Sequence, residues 1–318
     1  MCTFALPPCF TVLVGAVALG YLARRKWNVS PDMAASLMTV ELTFFHWFIT
    51  MMIVWNMHLS RDIIMLPIIG GLLLLLCTGV SLAVAGPLKM TYKSKATFVL
   101  AGALSNLGYT GGAFVCFAVF GAPGLALAQI YIVFWIIIVY LLFFPVVRRI
   151  EKPDNNGRLF ALKDMLDPRL LSIPAVIAGL ALNFSGLKRP EFIADYYIVD
   201  IFVYAASGLS FFAIGLRLSF SRLGDYVPLY FLLGAVKFIL TPLMAWLLLV
   251  GCGLAGFHLS GLPAKVVLVQ SLTPAAVVMV TLSNVFKLDG QMGSALWVVN
   301  TAAFVFVVVP VLFLLLLA

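Results

Sequence analysis

Ser105-Asn106-Leu107-Gly108-Tyr109-Thr110-Gly111-Gly112 lies in the middle of a long apolar run, and its three glycines and four polar side chains interrupt that run. Gly in a helix interior costs about 1 kcal/mol relative to Ala, so the stretch is expected to break the helix that contains it. Whether such a break is a defect or a site depends on the solvent around it. A bilayer tolerates open backbone only where it is buried in protein or lines a cavity.

The composition indicates a bilayer. Of the 318 residues 64% are hydrophobic and 10% charged, and the mean hydropathy is +1.13. Soluble domains carry about 25% charged residues, so the chain reads as an all-α integral membrane protein with almost no soluble part. The net charge of +8 is read as basic loops against an anionic cytoplasmic leaflet, and no nucleic-acid partner is expected. The five cysteines, Cys2, Cys9, Cys77, Cys116 and Cys252, are scattered and mostly in apolar runs. With no CxxC pair or His cluster, they imply packing rather than a metal, a cofactor or a disulfide. Arg24, Arg25 and Lys26 follow the first apolar run instead of preceding it, which is not the pattern of a cleaved signal.

Ten apolar runs are long enough to span, at about 20 residues each. They fall near 8–24, 33–57, 63–87, 95–119, 123–147, 169–186, 193–216, 226–250, 262–284 and 290–317. The one sizeable polar linker follows the fifth. The expected domains are a first five-helix repeat (1–150), a cytoplasmic linker (151–168) and a second repeat (169–318). Of the 20 Lys and Arg, Arg61, Lys188, Arg189 and Lys265 fall on the side of the termini, Lys237 falls inside a span, and fifteen fall on the other side. The positive-inside rule therefore places both termini outside and the 148–168 region in the cytoplasm of a plasma (inner) membrane.

The halves resemble one another. At one offset, Pro31-Asp32-Met33 aligns with Pro190-Glu191-Phe192, Glu41 with Asp200, and His58-Leu59-Ser60 with Arg217-Leu218-Ser219. At another, Leu100–Asn106 aligns with Leu268–Pro274, which superposes the first break on a second, Ser271-Leu272-Thr273-Pro274-Ala275-Ala276. Pro145 matches Pro310. An odd number of spans per repeat makes the second copy inverted, and an inverted repeat with a broken helix in each copy is transporter architecture.

Thr273 before Pro274 reads as an N-cap with proline at the first helical position, starting a half-helix through Ala275, Ala276 and Val277. In the first break, Ser105 or Asn106 reads as the cap of a half-helix beginning at Leu107 or Gly108. Two such starts near the midplane present N–H groups and partial positive charge, an anion site without Arg or Lys. The competing reading is a proline kink and a glycine packing surface. The substrate-binding candidates are Asn106, Gly108, Tyr109, Gly111, Thr273, Pro274, Ala275 and Ala276. Asn106 leads, because an amide can both donate and accept. Gln129, Asn284 and Asn300 are weaker candidates, as interhelical hydrogen bonds would explain them equally well.

Glu41, Asp200, Lys237 and Gln270 are the coupling or gating candidates. A carboxylate inside a span costs at least about 2.5–3.5 kcal/mol. Glu41 and Asp200 are each expected about nine residues, roughly 13 Å, into a helix, at mirrored depths. Asp200 is expected on one face with Tyr196, Tyr197 and Tyr204. Lys237 needs a partner that either carboxylate could supply, so a structural ion pair competes with a coupling role. His46 lies off the Glu41 face of an α-helix, five residues on, and is read as incidental.

Gly20-Tyr21-Leu22-Ala23-Arg24-Arg25, Asn106-Leu107-Gly108-Tyr109-Thr110-Gly111, Phe120-Gly121-Ala122-Pro123-Gly124-Leu125-Ala126, Thr273-Pro274-Ala275-Ala276 and Asn300-Thr301 ahead of Pro310 together resemble the auxin efflux carrier family. The likeness is to a short, bacterial-type member. It implies ten spans with the N-terminus out, a bile-acid-symporter-type fold with crossed broken helices in spans 4 and 9, and a transport unit of spans 3–5 and 8–10. Spans 1, 2, 6 and 7 would form the scaffold. The chain departs from that pattern in lacking proline after the first break and in span 2, where Leu42-Thr43-Phe44-Phe45 stands. The long central loop of many plant members is absent.

The expected function is secondary transport of small organic anions, mono- or dicarboxylates or auxin-like acids, by alternating access in the lipid bilayer. The coupling ion, proton or sodium, and a homodimer are left open. The alternatives are a sodium-coupled symporter of the bile-acid type and a transporter-like sensor that binds without flux. No Ser/His/Asp set or metal spacing suggests an enzyme.

Overall fold

A computed structural model describes residues 6–30, 33–58, 60–151, 172–218 and 223–317. The linker from 152 onward, Pro31-Asp32, Leu59 and Ser219 lie outside the described residues, with the alignments that rest on them. Among the described residues every regular element is helical. Six helices are long and apolar enough to cross a membrane: Ser36–Trp55, Asp62–Ala85, Gly112–Ile150, Ile198–Arg217, Leu223–Leu254 and Gly290–Leu316. Ile173–Phe184 and Leu262–Ser271 are shorter apolar helices. This is the architecture of a multi-pass membrane protein.

The chain forms two compact units that interleave its halves. The first unit comprises residues 1–61, 108–130 and 162–218. Its helices are α1 (Leu6–Trp27), α2 (33–55), α5 (112–120), the start of α6 (122–151), α7 (Ser172–Phe184) and α8 (Ile198–Arg217). Gly121, at φ +66° and ψ −156°, separates α5 from α6, and Pro123 supports the turn. Within this unit α1 and α8 meet at paired glycines. A Cβ on Gly20 would collide with the Phe212 carbonyl, and one on Gly215 with that of Val17. The α2–α7 contact is closed at its end by Asn183, whose Nδ2 donates to the Trp55 and Met57 carbonyls at 2.8 Å each. These are acceptors that the last turn of α2 cannot satisfy internally.

The second unit comprises residues 62–107, 131–161 and 219–318. It holds α3 (Met65–Ala85), α4 (Tyr92–Ala103), the rest of α6, α9 (Leu223–Leu254), α10 (Leu262–Ser271), α11 (Val277–Val285) and α12 (Gly290–Leu316). Asp289 ties two helix starts together. Its Oδ1 caps α12 through the Met292 N–H (3.0 Å), and its Oδ2 accepts from Ser94 of α4 (2.8 Å). Relative to the expected grouping of spans 3–5, α5 and the start of α6 belong with α1, α2, α7 and α8. The reason is aromatic packing inside the first unit: Phe114 sits edge-on to Phe211, and Phe117 to Tyr204, both on α8.

Four wide turns with i→i−5 geometry punctuate the helices: Glu41–His46, Val139–Phe143, Val236–Leu240 and Phe304–Val308. The last three each end two residues before a proline, Pro145, Pro242 and Pro310. Proline has no N–H for the carbonyl four residues back, and its ring crowds that carbonyl. Widening the preceding turn relieves both problems, with Phe144, Thr241 and Val309 N–H bonding Val139, Val236 and Phe304. The Glu41–His46 turn has no such proline.

Candidate functional site

Both expected breaks are present, and those segments of them that lie in the second unit cross. α4 ends at Ala103, and Leu104 turns extended (φ −83°, ψ 117°). α10 ends at Ser271, and α11 begins only at Val277. Between them Ser105 pairs antiparallel with Ala275. The Asn106 N–H donates to the Pro274 carbonyl (2.8 Å), and the Ala276 N–H to the Leu104 carbonyl (2.9 Å). Each break thereby satisfies the other's backbone, which hydrocarbon requires of any non-helical chain. Ser105, Asn106, Thr273, Ala275 and Ala276 are all buried.

The crossing corrects the expected caps. Thr273 does not start the second half-helix. Its hydroxyl donates back to the Gln270 carbonyl (2.8 Å) and finishes α10. Pro274, Ala275 and Ala276 are extended rather than helical, because the residue before a proline is driven out of the α region and the next residues are held by pairing with Leu104–Asn106. Ala276, with φ −72° and ψ 143°, is the N-cap position of α11. Nor do Ser105 and Asn106 cap a helix at Leu107 or Gly108, since α5 starts at Gly112. The Ala275 N–H is bonded by Asn300 Oδ1 (2.8 Å), a role the sequence ranked low. Met279 closes onto the Ala276 carbonyl (3.1 Å). Helix geometry leaves Val277 and Val278 as the first-turn donors of α11, and both are partly exposed.

Lys237 is fully buried in the wide turn of α9. Its Nζ donates to Ser105 Oγ (2.5 Å) and reaches the Leu104 carbonyl (3.5 Å). Glu41 and Asp200, the expected carboxylate partners, belong to the first unit, where their charged neighbours are His46 and Arg189. The second unit therefore holds an ammonium against the first break on neutral acceptors alone. Thr241, whose hydroxyl fills the Val236 carbonyl (2.7 Å), holds the turn in shape. Gln270 donates Nε2 to the Leu107 carbonyl (3.3 Å), and its Oε1 takes no hydrogen bond from the described residues. Gln270, Ser105, Cys77 and Trp135 line one small cavity with room for about one water.

The remaining candidates lie in the first unit. Gly108, Tyr109 and Gly111 form the turn before α5, with Gly111 and Ala113 N–H on the Gly108 carbonyl at 3.0 and 3.2 Å. Open space surrounds Gly108 where a Cβ would stand. Tyr109 is buried edge-on to the His46 ring, with centroids 4.9 Å apart. Glu41 is buried, and its Oε1 lies 3.3 Å from His46 Nδ1. The separation of five residues that would divide them on an α-helix brings them together on a wide turn. Asp200 differs from the expectation. It is the third residue of α8, not the ninth, because Tyr197 (φ +50°) interrupts the helix before Ile198. Tyr196 and Tyr197 are exposed and off its face. Asp200 has Arg189 as its charged neighbour, and burial lowers the Arg189 guanidinium while Asp200 offsets that effect. An acid in the first turn of a helix beside an arginine is accounted for structurally.

Two features were legible only partly. Pro242 signals the turn that turns Lys237 inward, but its hydroxyl partner Ser105 is a tertiary matter. The Glu41–His46 pair had no proline to announce it. No protein-family model matches the chain, and no curated protein matches it.

Proposed function

We propose that the chain is a secondary carrier of small organic anions, working by alternating access, with the ten-span inverted-repeat organisation of auxin-efflux-carrier-like proteins. Six helices of spanning length, the shorter apolar helix Ile173–Phe184 and the two breaks support that organisation. The observation that carries the reading is the pairing of Leu104–Asn106 with Pro274–Ala276 at buried depth. Extended backbone inside a bilayer-sized bundle is tolerated where it builds a site. Beside it the first turn of α11 offers the Val277 and Val278 N–H groups and the positive end of a helix dipole, which suit a carboxylate. Lys237 behind Ser105 adds a formal positive charge.

In this mechanism Asn106 and the α11 start hold the carboxylate, and the unit carrying them moves to expose it on the other side. Pro274 keeps its segment extended through the cycle. Export of an anion is favoured by a negative interior, by about 2.3 kcal/mol per charge per 100 mV, and import requires coupling. The test is flux of a panel of labelled mono- and dicarboxylates into proteoliposomes. Wild type is expected to exchange at least one of them saturably. Asn106→Ala and Pro274→Gly are expected to cut that exchange by tenfold or more, on the order of 1.4 kcal/mol. Unchanged exchange in both variants would remove the site from the crossing.

A further inference from the structure

The first unit contains a buried polar cluster that the crossing does not use. Glu41, His46 and Thr50 come from α2, Tyr109 from the turn before α5, and Gln129 from α6. All five are more than nine-tenths buried. Glu41 Oε1 and His46 Nδ1 are 3.3 Å apart. Thr50 Oγ1 donates to Gln129 Oε1 at 3.4 Å. Three polar atoms of the cluster lack a hydrogen bond of ordinary geometry: His46 Nε2, Gln129 Nε2 and the Tyr109 hydroxyl, which faces Thr50.

From this geometry we infer that the Glu41–His46 pair is a proton-binding site, and that its proton is the one coupled to anion movement. The coupling half of the inference rests on the carrier reading above. A carboxylate and an imidazole sharing one proton are neutral as a pair, and a second proton makes the pair a cation. The two are within salt-bridge distance of each other. α8, packed against the turn, brings the titratable or charged residues Asp200, Tyr204 and Arg217. What it sets against the turn is the Phe202 ring, on Phe44, Phe45 and Phe48. Tyr109 is the titratable group in ring contact with His46.

The unpartnered neighbours decide the sign of the coupling. Gln129 Nε2 can only donate, and a donor stabilises negative charge, not an added proton, while the Tyr109 hydroxyl can donate or accept. A buried net cation without compensation is costly. On the carrier reading, the transported anion supplies the negative charge that offsets the second proton. By linkage the proton favours the anion equally. The pair loads with one proton per carboxylate, and the loaded protein moves no net charge for a monocarboxylate.

The experiment uses the full chain in two measurements. The first is infrared difference spectroscopy in lipid nanodiscs during acidification. A protonated-carboxyl band is expected to grow in wild type, to shift its titration in His46→Gln, and to be absent in Glu41→Gln. A band unchanged in Glu41→Gln would overturn the site. The second compares anion exchange with uptake driven by a pH gradient. Wild type is expected to accumulate a monocarboxylate about tenfold per pH unit. Glu41→Gln is expected to lose accumulation and the pH dependence of exchange. Retained accumulation in Glu41→Gln would overturn the coupling. If wild type exchanged no acid at all, the carrier reading would fail, while the infrared titration would still decide the proton site.

Discussion

Asn300 and Thr301 are neighbours on α12 with opposite bookkeeping. Asn300 Oδ1 accepts the Ala275 N–H, a buried donor that has left helical geometry. The Thr301 hydroxyl is buried without a partner. Removing the partner of a buried donor costs about 1–3 kcal/mol, whereas replacing an unpaired hydroxyl by a methyl is neutral or favourable. Asn300→Ala is therefore expected to lower the thermal midpoint in detergent, and Thr301→Val to leave or raise it. Equal losses in both would mean that depth, not the bond to Ala275, sets the cost. Lys237 is argued the same way. A buried charge on neutral acceptors adds little stability, and well-packed apolar replacements of buried charges are often neutral or stabilising. Lys237→Met is expected to keep the thermal midpoint while lowering anion exchange at least tenfold. A midpoint that collapses with the exchange would make Lys237 a structural residue.

At the scale of elements, proline and glycine set the geometry by different means. Proline widens a turn from within the helix, as at Val236–Leu240, and so rotates everything beyond it. Glycine acts across helices by permitting contact. On α3, a Cβ at Gly70 would collide with the backbone carbonyl of Tyr131, which cannot rotate away. Gly79, on the same helix, has nothing within 4 Å. Gly70→Ala is expected to destabilise by about 1–3 kcal/mol through overpacking. Gly79→Ala is expected to stabilise by about 0.5–1 kcal/mol through helix propensity. Chemical denaturation in mild detergent reads both signs. A stabilising Gly70→Ala would contradict the close α3–α6 contact.

At the scale of the whole molecule, large apolar side chains remain on the outside, among them Leu254, Phe231, Leu314 and Leu315. In water such a surface would aggregate, and in a bilayer it meets lipid. The Lys and Arg distribution predicts an orientation. Cysteines introduced at Lys188 and Lys93, in a chain freed of its own five, are expected to label differently with a membrane-impermeant thiol reagent added outside. Position 188 should react and position 93 should not. The reverse pattern would invert the topology drawn from the Lys and Arg distribution.

The sequence by itself determined the solvent, the helical class and the location of both breaks. These depend on composition, run length and residues whose backbone preferences are local, such as the glycines after Leu107 and Pro274. It did not determine how the breaks are satisfied. Ser271–Ala276 reads as a helix start, yet it becomes extended because Leu104–Asn106 comes alongside and supplies hydrogen-bond partners. Glu41 and His46 read as residues on different faces because an α-helical period was assumed. A wide turn with no proline to mark it joins them. Lys237 reads as one half of an ion pair, and the fold seats it on Ser105 and Leu104 instead. In each case the deciding partner is distant in sequence or the local period differs from 3.6, and neither is written in the residues nearby.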